Sequence, residues 1–440
     1  MKVWLFVVVA IGMAWGAPAR SEDGLGSAIG EDYAYLEALY HHLHRNPEIS
    51  FQEEKSAARM AAELAELGFE VTTGVGGHGL VGVMENGDGP TVLLRADMDG
   101  LPVLEQTGLA YASTATTVDE AGNTVPTMHA CGHDVHMTVF VGAARRLAAL
   151  KDRWRGTLVM IGQPAEERGA GAVAMLNDGL FERFPRPDYN LALHVNAQLA
   201  AGSVAYVSGY ALANVDSVDI TVHGVGGHGA YPHTTKDPVA LSGYIITALQ
   251  TLVAREVSPL EPAVVTVGSI HGGTKHNIIP DEVKLQLTVR SYTDEVRATL
   301  LDGIERIAVA QGRAFGLPED KLPVVKLARG EFTPATYNDP ALTERIAGVL
   351  KARLGETNVV ETGPVMGGED FGRYGRVEPK IPSLILWLGA VDPAKIEAAK
   401  ASGEALPSLH SPFFAPLPEP TITTGVEVMT SAALDLLGER

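Results

Sequence analysis

The order of strands and helices between Leu212 and Leu327 constrains the fold of this chain more than any other feature. Apolar periodicity predicts four strands in this block, and two helical segments follow the capping residues Asp237 and Thr293. The order strand–helix–strand–strand–helix–strand is typical of a ferredoxin-like α+β unit, in which two helices cover one four-stranded sheet. The predicted strands span residues 216–223, 264–270, 283–290 and 322–327, and the predicted helices span residues 237–255 and 293–312.

A different pattern flanks this block on both sides. Helical segments alternate with short apolar strands before it, and the same α/β order resumes from about Thr333. A chain of 440 residues is also too long for one small core. We therefore predict an α/β main domain formed by residues 20–211 and 328–440, with residues 212–327 inserted into it as a smaller domain, called the insert.

Charge and hydropathy narrow the possible partners. The formal net charge of −19 argues against binding to nucleic acid or to an anionic membrane, because both require basic patches. Residues 1–19 have a positive start, an apolar stretch and small residues, which is typical of a cleaved export signal. No later segment has the 18 apolar residues that a membrane span needs, so we expect no stable membrane insertion and a periplasmic or secreted protein.

One short stretch, residues 128–137, gathers the only cysteine of the chain, three histidines and a carboxylate. Thiolate, imidazole and carboxylate groups are the usual ligands of Zn²⁺ or Mn²⁺. Cys131 and His133 are separated by Gly132, so the backbone can bend and turn both side chains toward one ion. The alternative is a buried free thiol beside ordinary histidines. The local density of ligand types favours a metal site.

Further candidate ligands follow predicted strands. Open α/β sheets place their sites at the carboxyl ends of strands, where Asp99, the pair Glu166–Glu167 and His194 occur. One carboxylate of the pair can bind metal while the other faces substrate, and His410 lies in a loop that can reach the same ion. Asp99 is predicted to accept a hydrogen bond from a ligand imidazole and so to fix its tautomer, although a simple turn explains this carboxylate equally well.

Taken together, these segments resemble the M20 metallopeptidases, and within them the aminoacylase-like amidohydrolases. That group includes hippurate hydrolases and plant enzymes that cleave indole-acetyl amino acids. The resemblance runs over nearly the whole chain after the export signal. It rests on seven motifs in order: Leu43-His44-Arg45-Asn46-Pro47-Glu48, Arg95-Ala96-Asp97-Met98-Asp99, His129-Ala130-Cys131-Gly132-His133-Asp134, Gln163-Pro164-Ala165-Glu166-Glu167, Gly227-His228 with Pro232-His233, Asn277-Ile278-Ile279-Pro280, and His410-Ser411-Pro412.

The resemblance implies a site with two divalent metal ions. Its ligand positions fall on Cys131, His133, Glu167, His194 and His410, and its general base falls on Glu166. Many relatives use a bridging aspartate where this chain has Cys131, so the choice between Zn²⁺ and Mn²⁺ stays open.

The resemblance also assigns residues to the insert. His228 would donate a hydrogen bond to the oxyanion, and relatives take this histidine from the partner subunit of a dimer. Asn277 and Arg290 would hold a substrate carboxylate. The insert is therefore predicted to act as a lid and as the subunit interface of a homodimer or higher homo-oligomer.

The function expected from these residues is a metal-dependent amidohydrolase that releases a free amino acid from an N-acyl amino acid. A dipeptidase or carboxypeptidase on the same fold is the alternative within the enzyme class. A binding protein without catalysis would not need Glu166. A cysteine-nucleophile amidase would not need Glu167, His194 and His410 around Cys131. In every case the partner is a small molecule.

Overall fold

The computed structural model describes residues 24–328 and 332–439, so the export signal predicted at residues 1–19 lies outside the described residues. The two largest sheets have eight and four strands. In chain order, their strands are β1 (Glu70–Val75), β2 (Gly79–Glu85), β3 (Thr91–Asp97), β4 (Thr157–Gln163), β5 (Tyr189–Ala200), β6 (Val204–Tyr206), β7 (Asn214–His223), β8 (Ala263–His271), β9 (Glu282–Ser291), β10 (Val324–Leu327), β11 (Val359–Glu361) and β12 (Ser383–Val391).

The helices surround these sheets. In chain order they are α1 (Leu25–Arg45), α2 (Glu54–Glu66), α3 (His133–Ala149), α4 (Gly171–Asn177), α5 (Leu180–Arg183), α6 (Pro238–Thr251), α7 (Asp294–Ala314), α8 (Pro340–Leu354), α9 (Gly372–Gly375), α10 (Pro393–Ser402) and α11 (Pro418–Leu436). Within the described part of the chain, no helix combines the length and the apolar character that crossing a membrane requires.

The eight-stranded sheet belongs to the main domain and has the order β1-β2-β4-β3-β5-β12-β6-β11. Its four central strands, β4, β3, β5 and β12, are parallel, so their carboxyl ends meet at one edge. Alternate residues of β3 enter two different cores, because successive side chains of a strand point to opposite faces. Val92 and Leu94 pack with α1, α3 and α11, whereas Leu93 packs with α4, α5 and α9. Helices therefore cover both faces of the sheet.

The four-stranded sheet belongs to the insert and has the antiparallel order β8-β9-β7-β10. Strand β7 starts the unit and lies between β9 and β10, which is the ferredoxin-like topology. Leu241 and Ile245 of α6 and Ile304 of α7 pack against alternate residues of the sheet, such as Ile220 and Leu285. This confirms the predicted fold class, an α/β main domain with an inserted ferredoxin-like unit.

Three strands of the main sheet escape sequence prediction. Strands β6 and β11 have only three residues each, which is too short for an apolar period to be visible. Strand β1 contains Gly74 and two threonines, so its apolar alternation is weak. In the insert, α6 ends at Thr251 and a wider turn, Leu252–Glu256, continues the predicted helix to about Arg255.

Candidate metal centre

The candidate site lies at the carboxyl edge of the central parallel strands. Strand β3 leads to Asp99, β4 leads to a short turn at Glu166–Arg168, and β5 carries His194. Helix α3 starts at His133, directly after Cys131 and Gly132. Gly132 has a left-handed backbone (φ 83°), and a Cβ there would lie 2.5 Å from the Val195 side chain. Glycine is therefore required for the turn that brings Cys131 and His133 over the sheet edge.

The structure brings all five predicted ligands together. Cys131 Sγ lies 3.5 Å from His194 Nε2 and 3.3 Å from His410 Nε2. Glu167 Oε2 lies 3.4 Å from His410 Nε2, and Glu167 Oε1 lies 3.9 Å from His133 Nε2. Ligand atoms at about 2.0–2.3 Å from one zinc ion in a tetrahedral site lie roughly 3.5 Å from each other. The spacing of these side chains therefore suits a divalent cation.

Cys131 is shared by two overlapping groups of ligand atoms. One group contains Cys131, His133 and His194, and the other contains Cys131, Glu167 and His410. Within each group, the atoms that could bind metal lie within 4.8 Å of one another. A thiolate at this position can therefore contact an ion in either group.

The hydrogen bonding of these groups also fits a metal. His133 Nε2 and Glu167 Oε1 are buried and have no hydrogen-bond partner among the described residues. Buried polar atoms are otherwise nearly always paired, so such atoms indicate a missing partner. Burial and the nearby Glu167 carboxylate raise the pKa of the Cys131 thiol well above its usual value. A bound cation reverses that effect, because its charge favours the thiolate.

A neighbouring group directs one of the imidazole rings. His194 donates from Nδ1 to its neighbouring carbonyl, Val195 O, at 2.8 Å, which leaves Nε2 free to bind metal. Asp99 Oδ1 lies 3.3 Å from His133 Nδ1, within ion-pair distance, but that nitrogen has no hydrogen-bond partner among the described residues. Asp99 therefore lies beside a predicted ligand imidazole, without the predicted hydrogen bond.

A buried ionic network beneath the cluster was missed at the level of sequence. The Arg95 guanidinium is fully buried and contacts three carboxylates, those of Asp97 at 2.6 Å, Glu369 at 2.8 Å and Asp370 at 3.3 Å. Arg95 also donates to Gln163 Oε1 at 3.0 Å. Both segments, residues 95–102 and 366–371, are visible in the sequence as polar runs, but nothing in it indicates that they pair.

His136 links this network to the ligand His194. His136 Nδ1 lies 2.6 Å from Asp97 Oδ1, and its Nε2 accepts a hydrogen bond from the Val195 N–H at 2.9 Å. The acceptor role of Nε2 requires a neutral ring, in agreement with burial lowering the pKa of His136 to about 3. His136 therefore holds the peptide that follows His194 and does not itself face a free coordination position.

The Glu166 carboxyl is buried next to the ligands. Its Oε2 lies 4.0 Å from His133 Nε2, and its backbone N–H donates to Asp99 Oδ1 at 3.1 Å. Burial, followed by the Glu369 and Glu167 carboxylates, raises the pKa of Glu166 well above its usual value. A carboxylate with a raised pKa can accept a proton efficiently near neutral pH.

A cleft of about 730 Å³ lies between the main domain and the insert, and it is lined by Glu166 and by four of the predicted ligands, Cys131, Glu167, His194 and His410. Leu212, Val215 and Trp387 give it an apolar wall, and Arg290 of β9 lies on the insert side. Arg290 is half-buried and donates to the Met366 carbonyl oxygen at 2.7 Å. None of the described carboxylates forms an ion pair with Arg290. This arginine is therefore available for an anionic group in the cleft.

His228 and Asn277 lie elsewhere. The two-residue strand Gly227–His228 pairs with Ile278–Ile279, and Gly229 N–H donates to Asn277 O at 2.9 Å. Both side chains are on exposed residues of the insert, and neither residue lines the cleft of its own chain. The structure therefore brings His228 and Asn277 near each other, outside the cleft that Glu166 lines.

Comparison with known proteins agrees with this architecture. Residues 93–435 match the model of the peptidase family M20/M25/M40, so the chain belongs to this family of hydrolases. It is 37% identical to thermostable carboxypeptidase 2 of Saccharolobus solfataricus over 351 residues, 79% of this chain and 84% of that protein. It is also 37% identical to the hippurate hydrolase of Campylobacter jejuni over 342 residues, 77% of this chain and 84% of that protein.

A solved structure extends the comparison to the fold. The YXEP protein of Bacillus subtilis, described as a dinuclear metal-binding peptidase of the M20 family, superposes with a TM-score of 0.73. The match has 27% identity and covers 93% of this chain and all of that chain. Together with the ligand clusters, this likeness supports divalent metal binding by the present chain.

Proposed function

We propose that this chain is a metal-dependent amidohydrolase that cleaves the amide bond of N-acyl amino acids and releases a carboxylic acid and a free amino acid. One observation carries the proposal: a buried carboxyl, Glu166, lies beside five converging predicted ligands, in a cleft that also contains Arg290, which pairs with none of the described carboxylates. Ligands alone would suit a binding protein, but an adjacent base serves catalysis.

The proposed cofactor is a pair of divalent ions, either zinc or manganese. Cys131 would be common to both, with His133 and His194 on one side and Glu167 and His410 on the other. When bound, such ions acidify water and polarise the amide carbonyl.

The side chains of the cleft supply proton transfer, carboxylate binding and apolar contacts. Glu166 takes the proton of the attacking water and later delivers it to the leaving amine. Arg290 binds the carboxylate of the amino-acid part by charge-assisted hydrogen bonds. The apolar wall formed by Leu212, Val215 and Trp387 accommodates an apolar part of the substrate. The cleft thereby orients the amide bond toward Glu166.

We further infer that the active form is a homodimer in which the insert of one copy reaches the cleft of the other. Two observations support this inference: His228 and Asn277 are exposed, and neither lines the cleft of its own chain. In such a dimer, His228 of the partner subunit donates to the developing oxyanion. Asn277 of the partner subunit joins Arg290 at the substrate carboxylate.

We also propose that the mature protein acts in the periplasm or outside the cell. The proposal rests on the composition of residues 1–19, with Lys2 followed by an apolar run and small residues. Expression of the full chain followed by cell fractionation and N-terminal sequencing tests it. A full-length N-terminus recovered from the cytoplasmic fraction would contradict export.

The second candidate function is hydrolysis of dipeptides or of carboxyl-terminal residues. The likeness to a carboxypeptidase favours it, because Arg290 can hold the carboxylate of a peptide as well as that of an N-acyl amino acid. The two functions differ in the group on the other side of the amide bond. That group is a neutral acyl in N-acyl amino acids, whereas it is an aminoacyl group with a charged α-amine in dipeptides and a peptidyl group in longer peptides.

A substrate panel distinguishes these functions. Metal-loaded protein is assayed with N-acetyl, N-benzoyl and longer N-acyl amino acids, with the matching dipeptides, and with N-acyl amino acid amides that lack the carboxylate. We expect the N-acyl amino acids to give the highest kcat/KM and the amides to react poorly. Chelation should remove the activity, and zinc or manganese should restore it. Full activity in metal-free protein would rule out the proposed function.

A further inference from the structure

Among the described residues, three residues other than glycine have a left-handed backbone: Phe51 (φ 63°), Ala165 (φ 50°) and His410 (φ 66°). This conformation is costly for L-residues with a Cβ, so the surrounding structure must enforce it. His410 is a predicted metal ligand. Phe51 and Ala165 share a contact that the proposed mechanism does not use.

Phe51 and Ala165 donate their backbone N–H groups to the same atom. Glu53 Oε1 accepts from Phe51 N at 3.0 Å and from Ala165 N at 2.7 Å. The Glu53 side chain is fully buried, and its other oxygen has no hydrogen-bond partner among the described residues. One carboxyl oxygen therefore stabilises two strained positions that are more than a hundred residues apart in the sequence.

Ala165 is the first residue of the turn that presents the reactive carboxylates. The next two N–H groups, of Glu166 and Glu167, donate to Asp99 Oδ1 and Oδ2 at 3.1 and 3.0 Å. Asp99 Oδ2 in turn accepts from Ser50 Oγ at 2.6 Å. The loop between α1 and α2 therefore holds this turn by two contacts. Glu53 accepts directly from the Ala165 N–H, and Ser50 acts through Asp99.

Helix capping does not explain the burial of Glu53. It occupies the position before the first residue of α2, but its side chain makes no capping hydrogen bond with that helix. An acidic side chain is almost never fully buried without a specific partner. The partner here is the Ala165 peptide, so the carboxyl is directed away from its own helix and toward the site.

We propose that Glu53 is a positioning residue of the hydrolytic centre, which holds Ala165 left-handed and thereby places Glu166 and Glu167. The role of Glu166 as base rests on the proposed function, whereas the placement of the ligand Glu167 does not. The task of Glu53 is to accept hydrogen bonds. Burial, followed by the Asp99 carboxylate, raises the pKa of Glu53 to about 8, so glutamine closely matches its neutral form at pH 7.

The test compares four variants with the parent protein by titration with Zn²⁺ and by kcat and KM on an N-acyl amino acid. Glu53→Ala removes the acceptor, and Glu53→Gln retains it. Ala165→Gly in the Glu53→Ala background removes the backbone strain, because glycine adopts positive φ without a Cβ clash. Glu54→Ala is the matched control, since Glu54 is the neighbouring residue and is exposed.

We expect Glu53→Ala to weaken Zn²⁺ binding and to lower kcat roughly tenfold to a hundredfold, the usual effect of removing a group that orients a ligand. KM should change much less. Glu53→Gln and Glu54→Ala should stay within about threefold of the parent. The double variant should recover most of the loss, which a general weakening of the fold would not allow.

Unchanged Zn²⁺ affinity and kcat in Glu53→Ala would overturn the proposal, as would failure of Ala165→Gly to restore either quantity. If Glu53→Ala does not fold, the Glu53→Gln variant tests the proposal instead. A loss of Zn²⁺ affinity or kcat above tenfold in Glu53→Gln would show that accepting hydrogen bonds is not the role of Glu53. If the parent hydrolyses no N-acyl amino acid, the proposed function fails, while the Zn²⁺ titration still tests the placement of Glu167.

Discussion

The two domains contribute to the site in different ways. In the main domain, five predicted ligands and the predicted base lie within a few ångströms of one another, and Asp99, His136 and the Arg95 network orient them. Of the three predicted site residues of the insert, Arg290 lines the cleft of its own chain, while His228 and Asn277 are exposed and do not.

The difference shows what each domain can do alone. The ligand cluster needs no movement to bind metal, because its side chains already converge and His194 is oriented by the hydrogen bond from its Nδ1 to Val195 O. His228 of the insert does not line the cleft of its own chain. It can therefore contact the oxyanion only when the insert of a second copy approaches that cleft. We therefore expect changes in the main domain to act on metal and proton transfer, and changes in the insert to act on the transition state and on substrate affinity.

The largest effect is expected at the adjacent pair Glu166 and Glu167. Glu166→Gln removes the base but no predicted ligand, so kcat should fall roughly 10²-fold to 10⁴-fold while the metal content stays unchanged. Glu167→Gln, one residue away, should lower the metal content itself. Elemental analysis together with steady-state kinetics separates the two. Turnover of Glu166→Gln within a few-fold of the parent would point to another base.

The next effect concerns the insert. His228→Ala should lower kcat by about 10²-fold, the usual cost of losing one oxyanion donor, with the metal content unchanged. The matched control is His271→Ala, another exposed histidine of the insert. Mixing inactive Glu166→Gln subunits with inactive His228→Ala subunits should restore activity if the histidine acts across the dimer, because one hybrid site contains both intact residues. Hybrids that are verified by mass but remain inactive would contradict action in trans.

The main features of both domains are predictable from sequence, because they depend on local patterns. The apolar periods and capping residues of the insert predict its topology, and the carboxyl ends of β3, β4 and β5 predict where Asp99, Glu166 and His194 meet. Each ligand type is recognisable by its own chemistry and position. Chemistry and position alone mark such residues as candidates, and the resemblance to a known family is what assigns the five residues from Cys131 to His410 to one site.

Other features depend on long-range pairing that no local pattern encodes. Arg95 meets Glu369 and Asp370 only after β3 and the segment before α9 have packed together. Glu53 likewise reaches Ala165 through the tertiary fold. The sequence shows these residues only as charged side chains, and the usual expectation for charged side chains is exposure to solvent.

A smaller effect is expected at Arg290, the one predicted substrate-binding residue that reaches the cleft within its own chain. Arg290→Gln should raise KM roughly tenfold to a hundredfold for substrates with a free carboxylate, since hydrogen bonds to charged groups contribute about 1.5–3 kcal/mol. For N-acyl amino acid amides, which lack that charge, the KM of the variant should equal the KM of the parent. An equal loss on both substrate types would show that Arg290 supports the Met366 loop and does not bind the carboxylate.

The smallest effect tests whether the main domain also differs from the insert in the pH dependence of its stability. His44 is buried between Asp134 Oδ2 at 2.6 Å and Glu105 Oε1 at 3.1 Å. Burial alone would lower the pKa of His44, but these hydrogen bonds raise it to about 9. A pKa raised above the unfolded value of about 6.5 means that the stabilisation is complete below pH 6.5 and is lost as the pH rises through 9.

Metal-depleted parent and His44→Gln proteins should therefore differ most in unfolding midpoint near pH 6, and the difference should shrink toward pH 10. His271→Gln, on the exposed side of the insert, should leave the midpoint of the parent unchanged across this range. A constant gap between parent and His44→Gln from pH 6 to pH 10 would show that His44 contributes packing and no charge-dependent stability.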